Sequence, residues 1–174
     1  MIRIPGDDEL VRAALAGDKA CFIELVRRHG SRSLAAALAI LENYHDAEDA
    51  VQDGTLTAFK NLRHLEDPFA FRTWFLRIVA NRAKDMRRQR RVVESLDDVD
   101  EPSAGHDVLG RLVVAEAFAS LPHKARTVAI LYFSGLSTKE IAGVLGRPVG
   151  TVRRQLGEAR HALAAFLDSE GGLT

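Results

Sequence analysis

Apolar residues recur at helical spacing along almost all of the 174 residues, and no stretch alternates as a half-buried strand does. That period restricts the chain to helix packed on helix. Start and stop signals punctuate it. Asp8 and Asp18 precede short amphipathic stretches. The acids Asp46, Glu48 and Asp49 open a stretch with apolar positions at Ala47, Ala50, Val51, Ala58, Phe59 and Leu62. Asp67-Pro68 joins a capping carboxylate to a proline at the first helical position, and opens a long helix expected to reach about Arg91. Pro122 starts another helix. Ser137-Thr-Lys-Glu140 has the capping-box pattern, Gly146 suits a left-handed stop, and Pro148 opens a last helix expected to run to about Asp168.

The period breaks over residues 92–106, which hold Pro102, Gly105 and a cluster of acids. The chain is therefore expected to be all-α, with two small helical domains, residues 1–91 and 107–174, joined by a flexible acidic linker of residues 92–106. Apolar residues make up 47% of the chain, enough for each domain to hold a core. Lys plus Arg balances Asp plus Glu at 24 each, but the charges fall in blocks. Residues 1–60 carry 7 basic and 10 acidic side chains, and residues 61–93 carry 9 and 3. Residues 94–109 carry 6 acids and no Lys or Arg; the remainder has 8 basic and 5 acidic. Binding responds to such local fields, so a neutral total does not exclude nucleic acid.

Cys21 is the only cysteine, so no internal disulfide can form; a small core residue in a reducing cytoplasm is the natural expectation. The acids Asp7, Asp8 and Glu9 and the lack of a long apolar start argue against a signal peptide. No apolar run approaches the roughly 20 residues that span a bilayer, so no membrane insertion is expected.

Between Phe71 and Arg91 one side of the helix is apolar, through Phe71, Phe75, Ile78, Val79 and Met86. Arg77, Asn81, Lys84, Arg88 and Arg91 fall on the other, spaced four, three, four, three, as a stripe roughly 20 Å long. Trp74 borders that stripe. Cations neutralise phosphates, an indole stacks on an unpaired base, and a side-chain amide bonds a base edge, so the row suits single-stranded or melting DNA. A solvated helix face with a half-buried Trp fits the same residues.

Residues 137–146, the turn Gly146-Arg-Pro148 and the helix after it have the layout of a helix-turn-helix. Val152, Leu156, Ala159, Leu163 and Phe166 form an inner stripe; Gly150, Arg153, Arg154, Gly157, Arg160 and His161 project outward. The first turn offers Thr151, Arg153 and Arg154 to a major groove. Gly150 and Gly157 weaken the helix, which suggests that another backbone must come close. A plain helical hairpin is the alternative. On the helix after Asp46 the outward stripe is Asp49, Gln52, Asp53, Leu56 and Lys60, an exposed leucine ringed by polar groups that suits protein docking and also fits an ordinary surface.

Taken together, the segments resemble the extracytoplasmic-function sigma factors over nearly the whole chain. Asp46-Ala-Glu-Asp-Ala-Val-Gln52 is similar to that family's core-polymerase-binding motif. Phe71-Arg-Thr-Trp-Phe-Leu-Arg-Ile-Val-Ala-Asn-Arg82 is similar to its minus-ten motif. Gly135-Leu-Ser-Thr-Lys-Glu-Ile-Ala, with Pro148-Val-Gly-Thr-Val152, is similar to its minus-thirty-five reader.

The resemblance implies that Asp46, Asp49, Gln52, Asp53 and Leu56 dock on the clamp helices of the β′ subunit of core RNA polymerase. It implies that the loop Arg63-His-Leu-Glu-Asp67, with Arg63 and His64, holds a flipped base, and that Arg72, Trp74, Arg77, Asn81, Lys84, Arg88 and Arg91 engage the minus-ten element. Ser137, Lys139, Pro148, Gly150, Thr151, Arg153, Arg154 and Arg160 are the implied minus-thirty-five contacts. The β flap, promoter DNA and an anti-sigma factor are the other implied partners, and the acidic linker would thread the polymerase channel. The sequence departs from the family at Gly54, Thr55 and Thr57, where Gly54 should loosen the helix, and at Arg153-Arg154-Gln155 and Glu158.

The histidines at 29, 45, 64, 106, 123 and 161 do not pair with one another or with Cys21 at ligand spacing, so neither metal nor cofactor is expected. No nucleophile triad or phosphate-cradling loop is present, so no enzymatic activity is expected. An ordinary helix-turn-helix regulator, or a sigma-like decoy that binds an anti-sigma factor, are the rival functions.

Overall fold

The computed structural model describes residues 4–94, 118 and 120–170. Among the described residues every regular element is helical: α1 (Asp7–Leu15), α2 (Lys19–Leu41), α3 (Tyr44–Asn61), α4 (Phe71–Glu94), α5 (His123–Ser134), α6 (Thr138–Leu145) and α7 (Val149–Glu170), with 3-10 turns at Leu62–His64 and Pro68–Ala70. None is long and apolar enough to cross a membrane.

The helix ends follow local chemistry. The Asp18 carboxylate accepts from the backbone N–H groups of Ala20 and Cys21, at 2.9 and 3.3 Å, and starts α2. Cys21 lies half-buried in that first turn, partly packed on the core. α3 begins earlier than residues 46–49 suggest, because the Asn43 side chain caps it by accepting from Asp46 N–H at 3.1 Å. Asp67 caps Phe69 N–H at 3.0 Å, and Pro68 occupies the first position of the 3-10 turn that leads into α4. At α6 both bonds of the capping box form. Ser137 N–H donates to Glu140 Oε2 at 2.8 Å, and Glu140 N–H donates to Ser137 Oγ at 3.3 Å. Gly135 and Gly146, at φ 117° and 62°, end α5 and α6 in the left-handed region.

α2, α3 and α4 pack mutually, with α1 laid on α2. Phe71 and Phe75 are fully buried and stacked, with ring centroids 5.8 Å apart. Truncating either to alanine should cost about 3–5 kcal/mol. Leu76, Ala80 and Ala83 join that buried side, while Ile78 and Met86 lie at its margin. Around them the chain places small residues: Ala36, Ala37, Ala47, Ala50 and Ala58 are all buried.

Gly54 belongs to this set and corrects the expectation of a loosened helix. α3 runs through it unbroken. A Cβ there would lie 2.6 Å from Val79 Cγ2 and 3.3 Å from Val79 Cα, so its absence lets α3 and α4 cross closely. Packing gained across the crossing offsets the roughly 1 kcal/mol of lost helix propensity.

In the second half, Leu121, Ala125, Ala129 and Ala159 form one cluster between α5 and α7. Val128, Leu131, Leu136, Ile141, Ala142, Val144, Val152 and Leu156 instead join the buried cluster of α1–α4, so the two halves are in contact. α4 extends to Glu94, past the expected linker start at Val92. The rest of the expected linker, and the helical stretch expected to follow it up to residue 117, lie outside the described residues.

Candidate nucleic-acid interface

α4 positions its polar side by burying the other. With Phe71, Phe75, Val79 and Ala83 fixed in the core, the helical period turns Arg77, Asn81, Lys84 and Arg88 away from it. Asn81 and Arg88 are exposed. Arg77 Nε lies 2.8 Å from Glu140 Oε1, and Lys84 Nζ donates to the Gly143 carbonyl at 2.6 Å. Both cations thus point to one neighbour, α6. Trp74 is half-buried, tilted against Phe71 with centroids 6.0 Å apart. Arg72 is exposed, with its guanidinium beside Gly135. Arg63 and His64 are exposed on a turn pinned by buried Leu62 and Leu65. The Arg91 side chain lies outside the described residues.

On α3, Leu56 is 59% exposed, and Asp49 and Gln52 are exposed with it. Asp46 and Asp53 differ. Asp53 is gripped by Arg82 of α4, with Nε and Nη2 at 2.8 and 2.7 Å, and Asp46 lies 3.5 Å from Arg90. The helical stripes do not contain Arg82 because it faces α3 rather than α6. The available signal is its spacing of three from Val79, the residue on which Gly54 rests.

In the helix-turn-helix, Lys139, Pro148, Gly150, Arg153, Arg154 and Arg160 are exposed, and Thr151 is partly so. Arg154 pairs with Glu158 one turn on. Arg160 turns back towards Tyr132, 5.5 Å above its ring. Gln155 is buried and accepts from Arg147 at 3.1 Å, so it braces the turn and faces away from solvent. Beyond the helix's own adjoining turns, no described residue comes within 4 Å of a Cβ built on Gly150 or Gly157, so among the described residues no close backbone lies there. At Glu140 burial opposes ionisation. Bonds from the Ser137 N–H and hydroxyl, with Arg77 alongside, nevertheless hold its carboxyl below the usual glutamate value.

The site therefore comprises an exposed leucine among polar groups, an aromatic-edged basic stripe and a capped helix-turn-helix, in that order along the chain. Residues 25–92 match the Sigma-70 region 2 family and residues 111–163 match Sigma-70 region 4. The chain is 34% identical to the RNA polymerase sigma factor CnrH of Cupriavidus metallidurans, over 95% of this chain and 97% of that protein. It belongs to the extracytoplasmic-function sigma factors.

The sigma factor is also 32% identical to ECF RNA polymerase sigma factor SigM of Mycobacterium tuberculosis, over 92% of this chain and 84% of that one. Among solved structures it resembles the sigma factor RpoE of Bartonella quintana in complex with the anti-sigma factor NepR. The TM-score is 0.59 and the identity 25%, over 86% of this chain and 96% of that one. As a member of its family it directs promoter recognition, DNA melting and initiation, and its partners are core RNA polymerase and promoter DNA. Sigma factors are initiation factors, not enzymes.

Proposed function

We propose that the three faces divide the work of initiation between two domains, residues 1–91 and 107–174. Leu56, with Asp49 and Gln52 around it, docks on the clamp helices of core polymerase, and Asp46 and Asp53 border the contact. The Arg63–His64 turn holds a flipped base. Arg72, Trp74, Arg77, Asn81, Lys84, Arg88 and Arg91 line the path of the opened minus-ten strand. Ser137, Lys139, Pro148, Gly150, Thr151, Arg153, Arg154 and Arg160 meet the minus-thirty-five duplex, with Ser137 and Pro148 setting the helix starts and the arginines reaching bases or phosphates. The β flap holds the second domain, and the chain carries out no catalytic step of its own.

The observation that carries this reading is the common direction of Arg77 and Lys84, with Trp74 half outside the core on the same helix. A basic row with an accessible indole gives an unpaired strand both phosphate neutralisation and a stacking platform. Trp74→Ala should remove about 1–3 kcal/mol of strand binding. Open-complex formation on duplex promoter should fall, while binding to core polymerase persists. Unchanged opening with normal core affinity would remove the stacking role. Since the RpoE relative was solved bound to an anti-sigma factor, we also assign this chain an inhibitor of that kind and a cytoplasmic setting.

A further inference from the structure

The two flanks of the recognition helix carry unlike charge. At about 100° per residue, Gly150 and Gly157 take the middle of the outward side of α7. Arg153 lies on one flank, exposed and, among the described residues, without a partner. Arg154 and Glu158 lie on the other flank, where Arg154 donates from Nη1 to a Glu158 carboxylate oxygen one turn on.

Folding does not account for that pair. Its side chains are 65% and 44% exposed, and a surface pair of this kind adds little stability. Its polarity is also the weaker one, since a glutamate supports a helix best when it precedes the cation by four residues, and here it follows. Against nucleic acid a carboxylate is a cost, because it repels phosphate.

The pair leaves one edge of the guanidinium uncommitted. Arg27 spends Nε and Nη2 on Glu24, at 2.7 and 2.8 Å. Arg82 turns the same two atoms on Asp53, at 2.8 and 2.7 Å. Arg154 is held through Nη1, so its Nε–Nη2 edge stays open. That edge carries two parallel N–H groups, which match O6 and N7 of guanine in a major groove. A carboxylate on Nη1 sets the plane of the fork before DNA arrives. It also cancels the charge that would otherwise draw Arg154 to the nearest phosphate. The glycines beside it let the helix backbone, and so the held fork, approach the base edges.

We infer that Glu158 determines specificity: it holds Arg154 so that the open edge reads one guanine of the upstream duplex, and it leaves phosphate contact on the opposite flank to Arg153. The inference rests on the assignment of α7 to the minus-thirty-five duplex. Glu158 is a positioning residue in this arrangement and touches no base itself.

The test uses holoenzyme assembled from core polymerase and the full chain. The probe is a pool of duplexes with a random stretch long enough to hold both promoter elements, sequenced after capture. Glu158→Ala keeps a good helix former and releases Arg154. Preference for guanine at one upstream base pair should fall about tenfold. Binding to arbitrary duplex should tighten, and its log–log salt dependence should steepen by about one, as the released cation finds a phosphate. Arg154→Lys keeps the charge and loses the fork, so it should lose preference at the same base pair. An unchanged preference in Glu158→Ala would overturn the inference. So would a loss at a different base pair from Arg154→Lys, the result expected if Glu158 read a cytosine directly. Arg153→Gln separates the inference from the reading beneath it, since it should weaken all duplexes alike. If it does so while Glu158→Ala matches wild type, the role of Glu158 is wrong and α7 still meets the duplex. If neither Arg153→Gln nor Arg154→Lys alters binding or preference, the assignment of α7 is wrong instead.

Discussion

Gly54 and Gly157 are both glycines inside long helices, yet their surroundings are opposite. Gly54 is buried, and its missing side chain is the space into which Val79 fits. Gly157 faces open space on α7, with nothing of the described chain near it. The first glycine is explained by this chain's own packing. The second, like Gly150, has open space, and under the proposed function the body that would approach it is duplex DNA. A helical glycine therefore reports a close approach, and only the burial around it tells whether the neighbour is internal.

The largest effect should come from filling the buried site. Gly54→Val forces a branched side chain against Val79 and should destabilise the fold by about 3 kcal/mol in chemical denaturation. A loss under about 0.5 kcal/mol would mean that α3 and α4 are not held at this separation.

Two residues along α3 the environment reverses. Leu56→Asp changes a side chain that is more than half exposed, so folding should hold. Core-polymerase affinity should fall by about 2 kcal/mol, roughly thirtyfold, in a pull-down or titration. Retained affinity would place the docking surface elsewhere.

Gly157→Ala should move in the opposite sense to Gly54→Val. It should raise thermal stability by up to about 1 kcal/mol, since alanine is the better helix former and its methyl meets nothing. Affinity for a minus-thirty-five duplex should drop if the DNA backbone uses that space; equal affinity would make the glycine incidental.

The smallest effect concerns acid. The Glu140 carboxyl is held below its ordinary 4.5, so its contribution to stability is full above that value and fades only as pH falls through the lowered one. Denaturation of wild type and Glu140→Gln across an acid titration should find the stability difference between them intact at pH 5. A difference already shrinking there would show that the carboxyl is not held low.

Much of this was legible in the sequence because it is local. Ser137 and Glu140 are three residues apart, Asp67 stands next to Pro68, and the 3.6-residue period alone separates Phe75 from Arg77. The exposure of Leu56 followed from the same period. Contacts between distant segments were not legible. Its spacing from Val79 places Arg82 towards α3 but does not pick out Asp53, 29 positions earlier, and nothing in α4 marks Lys84 for a carbonyl 59 positions later. Gly54 looked like a flaw in α3 because a propensity scale ranks the residue without the neighbour that needs it. Gln155 stood out in the sequence only as a departure from the family pattern, because a helical wheel does not show Arg147 folding back onto it.

The Asp18 cap has a practical corollary at Cys21. A sulfur in the first turn of a helix ordinarily ionises readily. Here burial pushes the thiol up, and the Asp18 carboxylate that accepts its hydrogen at 3.3 Å pushes it further. Thiol-directed dyes will therefore react sluggishly at the native sulfur, so a fluorophore pair can be placed on introduced cysteines to follow the two halves in real time.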